Sequence, residues 1–151
     1  ISKTVWPMYS LIAAAVPLAI EEIMRNNITG GKTLGYVFAD DDRCSSSGSI
    51  AAFSALESYK YPIDVLIGPG CSAACATTGV LTSKQDILQI SMGCKSPMFS
   101  DKLQYPTFAR TVGSVASNKK VVAELFKLYG WTSANLLVCS SISFWSEAAS
   151  V

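Results

Sequence analysis

The sequence predicts an α/β fold on a doubly wound parallel sheet. Strand-like apolar runs alternate with segments of helical period from one end of the chain to the other. The run DVLIG (64–68) has the near-continuous apolar character of a parallel strand covered on both faces. Polar or glycine-bearing turns separate the runs, with no long structureless stretch apart from the loop over 92–106.

The elements follow in order. Leu11 to Asn26 reads as a helix, with Ile12, Val16, Ala19, Ile20 and Ile23 on one side and Glu21, Glu22 and Arg25 on the other. Pro17 within it predicts a kink or a late first turn. NNITGGK is a loop, TLGYVFA (33–39) a strand and DDDRCSSSG a polar loop. Ser49 to Tyr59 is a short helix with Ile50, Phe53 and Leu56 inward. DVLIG follows as a strand, then a helix over Ser72–Lys84 with Ser72 as its N-cap. ILQIS (87–91) and TFART (107–111) are the next strands. Ser114 to Tyr129 is a helix with Val115, Val122, Leu125, Phe126 and Tyr129 on its inner face, ended by Gly130, with Trp131 packing at that end. ANLLVCS (134–140) is a final strand, and a further helix begins at Phe144.

Composition narrows the function classes. At 151 residues the chain has the size of one domain, and half of it is hydrophobic against 15% charged, unlike a solvated disordered chain. The net charge of +1 comes from scattered Lys and Arg, with Lys119–Lys120 the only basic pair, which argues against a nucleic-acid partner. No apolar run is long enough to span a bilayer. There is no His, which removes the commonest general base and metal ligand.

The stretch DVLIGPGCSAAC (64–75) admits three chemistries. Gly68, Gly70 and Ala73 satisfy the loose G-x-G-x-x-G/A pattern of a phosphate-cradling turn, which would make this a cytosolic nucleotide-binding enzyme domain using Gly68-Pro69-Gly70. That fingerprint expects an acid about 20 residues on, after the next strand, yet ILQIS ends at Ser91 and Met92. Metal is the second reading, with five Cys at 44, 71, 75, 94 and 139, but none of the paired C-x2-C spacings of structural zinc is present. Disulfides are the third. Cys44 and Cys71 follow neighbouring strands on one edge of a parallel sheet, and Cys75 lies one helical turn on, with Cys94 after ILQIS. Bridges Cys44–Cys71 and Cys75–Cys94 leave Cys139 over, whereas the alternative is five reduced core thiols. Asn27-Ile28-Thr29 is a glycosylation sequon in a predicted loop and favours secretion.

DVLIGPGCSAAC, ISMGCKSPMFSDKLQYPTFARTVGS (90–114) and LYGWTSANLLV (128–138) together resemble the extracellular ligand-binding region of receptor guanylyl cyclases. The type is that of natriuretic-peptide receptors, in an invertebrate, nematode-like flavour. The resemblance extends from Ala13 to Val138, and Gly93 to Val112 carries its most specific pattern. It implies a type I periplasmic-binding-protein-like fold, of which residues 1–151 would be one partial lobe lacking a first strand and a second lobe. It further implies an unknown extracellular peptide or small-molecule ligand, a homodimer, attachment to the plasma membrane through segments outside this chain, and no catalysis by the chain itself. The family's first bridge maps onto Cys44 and Cys71, and Cys75–Cys94 resembles the additional pair of the CSAAC…GC variety. No cofactor is implied. Natriuretic receptors hold chloride at the GPGC turn, matched here by Gly70 and Cys71. The serine that completes that site falls on Asp41 or a neighbour, whose carboxylate repels an anion.

Ser91 and Met92 end a strand on the carboxyl edge, where open α/β sheets bind ligands, and so are candidate cleft residues. Ser140 and Ser141 are candidates in a polar edge loop. Asp40, Asp41 and Asp42 read as a solvated acidic loop or a cation site. Arg110 either pairs with a carboxylate near the cleft or lies on the surface.

Overall fold

The computed structural model describes residues 9–41, 44–135 and 137. Along the chain come helices α1 (Tyr9–Arg25) and α2 (Ser46–Glu57), strand β1 (Val65–Ile67), helix α3 (Ser72–Lys84), strands β2 (Leu88–Ser91) and β3 (Phe108–Arg110), and helix α4 (Asn118–Tyr129). Single 3-10 turns cover Pro97–Ser100 and Val115–Ser117. The three strands form a parallel sheet in the order β1-β2-β3, with Ile67 opposite Ile90 and Ser91 opposite Arg110. The α/β class and the parallel sheet are therefore as the alternation of runs predicts.

Helix α3 covers one face of this sheet, and its inward residues Ala74, Cys75, Thr78, Gly79 and Thr82 recur at helical spacing. Beneath it, Cys75, Cys94, Phe99, Tyr105 and Phe108 form the core cluster. Phe99 stacks on Phe108 at 4.7 Å and meets Tyr105 edge-on at 5.1 Å, both within the range of favourable aromatic pairs. Gly79 admits this arrangement, since a Cβ there would lie 2.9 Å from the Tyr105 ring. Helix α2 packs on α3 through Phe53 and Leu56, and Ser45 caps it by accepting from the Gly48 amide at 2.8 Å.

Several expectations are corrected. Residues 33–39 form no strand: the segment is exposed and lacks a ladder partner among the described residues. An extended run with its hydrogen-bonding groups open to water gains nothing from strand geometry until another strand lies beside it. DVLIG is covered on one face only, since Val65, Ile67 and Leu88 share the other face and are exposed. Ile50 is 48% exposed because Ser49, Phe53 and Leu56 define the inner stripe of α2, and Ile50 lies about 100° round the helix from Ser49.

Pro17 stands in the interior of α1, not in its first turn. Cys71 rather than Ser72 is the N-cap residue of α3. Helix α4 starts after the 3-10 turn and, among the described residues, contributes no buried residue, so Val122, Leu125 and Tyr129 have no core to face there. Amphipathic spacing marks the face that can be buried, but burial requires an opposing surface. Gly130 does end α4, with φ 65°, and the Trp131 amide bonds the Phe126 carbonyl at 2.9 Å. The Trp131 ring stacks on Tyr129 at 5.1 Å. The final strand and helix expected from 134 onward lie largely outside the described residues, as do Cys139, Ser140 and Ser141.

Candidate functional site at the carboxyl edge of the sheet

The parallel strands bring three loop starts to one edge. After β1 the chain turns through Gly68, Pro69, Gly70 and Cys71; after β2 it runs through Met92, Gly93 and Cys94; β3 ends at Arg110. Gly68 takes φ 105°, open to glycine and costly to a residue with a Cβ, and its amide bonds the Ile90 carbonyl at 2.8 Å.

Two disulfides converge on this turn. Cys44 is bonded to Cys71 with the Cα atoms 5.6 Å apart, and Cys75 to Cys94 with 6.4 Å. The outer bridge ties the loop ahead of α2 to the start of α3, and its cysteines are half-buried. The inner bridge ties α3 to the loop after β2, and both of its cysteines are 0% exposed. The Pro69 carbonyl oxygen lies 3.3 Å from Cys75 Sγ and 3.4 Å from Cys94 Sγ, so the turn rests on the inner bridge. Asp41 Oδ1 accepts from the Cys44 amide at 3.4 Å, which places a carboxylate beside the outer bridge.

Ser91 does not face a cleft. It is 0% exposed, and its hydroxyl donates to the Pro69 carbonyl at 2.6 Å while accepting from the Gly93 and Cys94 amides, each at 3.2 Å. Its role is to close the turn after β1 onto the turn after β2. Met92, the next residue, is 45% exposed. Of the two strand-end candidates, only Met92 is open to an incoming molecule. Ser72 is likewise committed, its hydroxyl accepting from the Ser96 amide at 3.3 Å.

Two further residues build this edge, one that sequence reasoning missed, Gln89, and one to which it gave other roles, Arg110. Gln89 is buried mid-strand, donating to the Gly68 carbonyl and to Thr78 Oγ1, both at 2.9 Å, and accepting from Thr82 Oγ1 at 3.2 Å. A polar amide in the middle of an apolar strand was the available signal, because a buried amide requires partners on neighbouring elements. Among the described residues Arg110 pairs with no carboxylate, and it does not lie free on the surface. Its guanidinium donates to the Cys94 carbonyl at 3.3 Å, the Ser96 carbonyl at 2.8 Å and Ser100 Oγ at 2.7 Å. Partial burial lowers its pKa from the ordinary arginine value through desolvation. One fork thereby fixes the backbone of the loop that carries Cys94.

Beside this edge an open groove of about 390 Å³ runs along α3, lined by Ala73, Ala76, Thr77 and Val80 with Met98 and Tyr105. Among the described residues no group of three His, Cys, Asp or Glu could hold a metal ion, and no helix is long and apolar enough to cross a membrane. Asn27 lies in the turn after α1.

Residues 11–149 match the model of the family described as the receptor family ligand binding region. Over 136 residues, 89% of the chain, it is 28% identical to guanylate cyclase 32E of Drosophila melanogaster. Identity to human retinal guanylyl cyclase 2 is 27% over 95% of the chain, and to the mouse gamma-aminobutyric acid type B receptor subunit 1 also 27%, over 83%. The chain spans 12% of the length of the first of these relatives and 13% of each of the other two. With the match extending over nearly its whole length, the chain belongs to the receptor family ligand binding region.

Proposed function

We propose that the chain recognises an extracellular ligand as part of a receptor guanylyl cyclase ectodomain held at the outer face of the plasma membrane. The observation that carries this reading is the family match over residues 11–149. Two disulfides meeting at one turn support the extracellular placement, since such bridges persist in oxidising compartments. Two guanylyl cyclases among the relatives, matching 89% and 95% of the chain, support the cyclase assignment. The nucleotide-binding alternative at Gly68-Pro69-Gly70 has no such support.

In this reading the chain binds and does not catalyse. Met92 on the carboxyl edge contributes to the ligand surface together with Ser140 and Ser141. Signalling follows when ligand stabilises one arrangement of two protomers over another, which requires different contacts in the two arrangements. The test is to recover the full transcript containing this chain, express its product on cells and measure cyclic GMP formed from GTP. Cyclic GMP production is expected. A surface receptor that makes none would overturn the cyclase assignment and leave the ligand-binding family in place.

A further inference from the structure

The turn after α1 carries a feature that ligand recognition leaves unused. Asn27-Ile28-Thr29 is the only Asn-x-Ser/Thr triplet in the sequence. Helix α1 stops at Arg25, and Asn27 takes the left-handed conformation, φ 50°, which asparagine tolerates better than most residues. Its backbone amide bonds the Met24 carbonyl at 3.1 Å, and its carbonyl accepts from the Gly30 amide at 3.3 Å. The side-chain oxygen accepts from the Gly31 amide at 3.0 Å, while the side-chain nitrogen donates no hydrogen bond among the described residues.

The neighbouring asparagine makes the contrast. Asn26 lies outside any such triplet, and its side-chain nitrogen is committed to Glu22 Oε1 at 2.7 Å. At Asn27 the turn fixes the oxygen inward through Gly31 and leaves Nδ2 uncommitted on an exposed residue. Thr29 Oγ1 donates to the Lys32 carbonyl at 2.6 Å, which holds the third residue of the triplet within the same turn. Ile28 between them is 70% exposed, an apolar side chain that the described protein leaves in water.

We propose that Asn27 carries an N-linked oligosaccharide, an inference that rests on the extracellular reading because the transfer acts on chains entering the secretory pathway. The donor is an oligosaccharide joined through pyrophosphate to a lipid. Asn27 Nδ2 attacks the anomeric carbon, the new N–C bond forms, the C–O bond to pyrophosphate breaks, the lipid pyrophosphate leaves and the amide gives up one proton. No oxidation or reduction takes place. The attached glycan shields Ile28 and keeps the carboxyl-terminal end of α1 in solvent, so contacts with ligand or a second protomer fall on other surfaces.

The test fuses a cleavable secretion signal to the full chain, expresses it in eukaryotic cells, and reads both total cell protein and medium. Signal cleavage, read by mass, reports entry into the pathway whether or not the product is exported. The expected result is a mass loss on N-glycosidase treatment, with position 27 converted from Asn to Asp. Asn27→Gln and Thr29→Ala abolish that shift, and Thr29→Ser retains it. A signal-cleaved chain with bridged cysteines and unmodified Asn27 overturns the site and leaves the receptor reading intact. A signal-cleaved chain with unmodified Asn27 and five free thiols overturns both.

Discussion

Gly93 lies against Gly70 so closely that a Cβ added to Gly93 would overlap the Gly70 carbonyl. The loops after β1 and β2 therefore meet backbone to backbone, and Ser91 fastens the same junction through Pro69. Replacing Gly93 with Ala forces one loop away from the other, because peptide backbone cannot swing aside as a side chain can. A loss of about 2 kcal/mol is expected for such overpacking, read by urea unfolding. Unchanged stability would show that the two loops separate freely.

Gln89 links three elements with one amide, so Gln89→Leu keeps the volume but strands its partners. The Gly68 carbonyl and the Thr78 and Thr82 hydroxyls lose a buried hydrogen-bond partner. We expect a cost of about 2 kcal/mol for leaving such groups unsatisfied. Adding Thr78→Val and Thr82→Val removes two of the stranded groups, so the triple variant should recover part of the loss. Additive losses would contradict the network.

The two disulfides should differ in what their removal costs. They close loops of similar length, with sequence separations of 27 and 19, so the chain-entropy contribution is about 3 kcal/mol for each. Cys75 and Cys94 sit in the core, whereas Cys44 and Cys71 are only half-buried. Replacing the inner pair with Ala therefore adds a packing defect of about 1 kcal/mol or more. Chemical denaturation of the two double variants should rank the inner pair as the more destabilised. The reverse order would place the stabilising contribution in the loop ahead of α2.

Arg110→Lys keeps the charge and loses the fork. One ammonium cannot reach the Cys94 and Ser96 carbonyls and Ser100 Oγ in the planar arrangement that the guanidinium satisfies. Backbone amides over residues 94–100 should exchange faster with solvent in Arg110→Lys and in Arg110→Met alike, while those of α1 keep the wild-type rate. Wild-type exchange rates over 94–100 in Arg110→Lys would show that charge, not geometry, holds the loop.

Much of this arrangement was legible in the residues. The place of SAACATTGVLTSK between a glycine turn and the next apolar run marked α3, and apolar runs bounded by turns marked β1 and β2, because turn chemistry and the alternation of runs are written in contiguous residues. What escaped was set by partners distant in sequence. TLGYVFA has strand composition but no neighbouring strand to bond, and the apolar stripe of α4 has no surface over it among the described residues. Ser91 reads as a cleft residue from its position at a strand end, yet a carbonyl 22 residues away takes its hydroxyl inward. Arg110 hides in the same way, since its three acceptors lie 10 to 16 residues upstream in a loop whose path no periodicity describes.

The central claim is that the turn Gly68–Cys71 is a bridged element of an extracellular receptor region, and peptide mapping of the secreted, unreduced chain tests it most directly. The account predicts two cystine-linked peptide pairs, Cys44 with Cys71 and Cys75 with Cys94, and one free thiol at Cys139. A folded chain with five free thiols, or with Cys71 joined to Cys75, would contradict it.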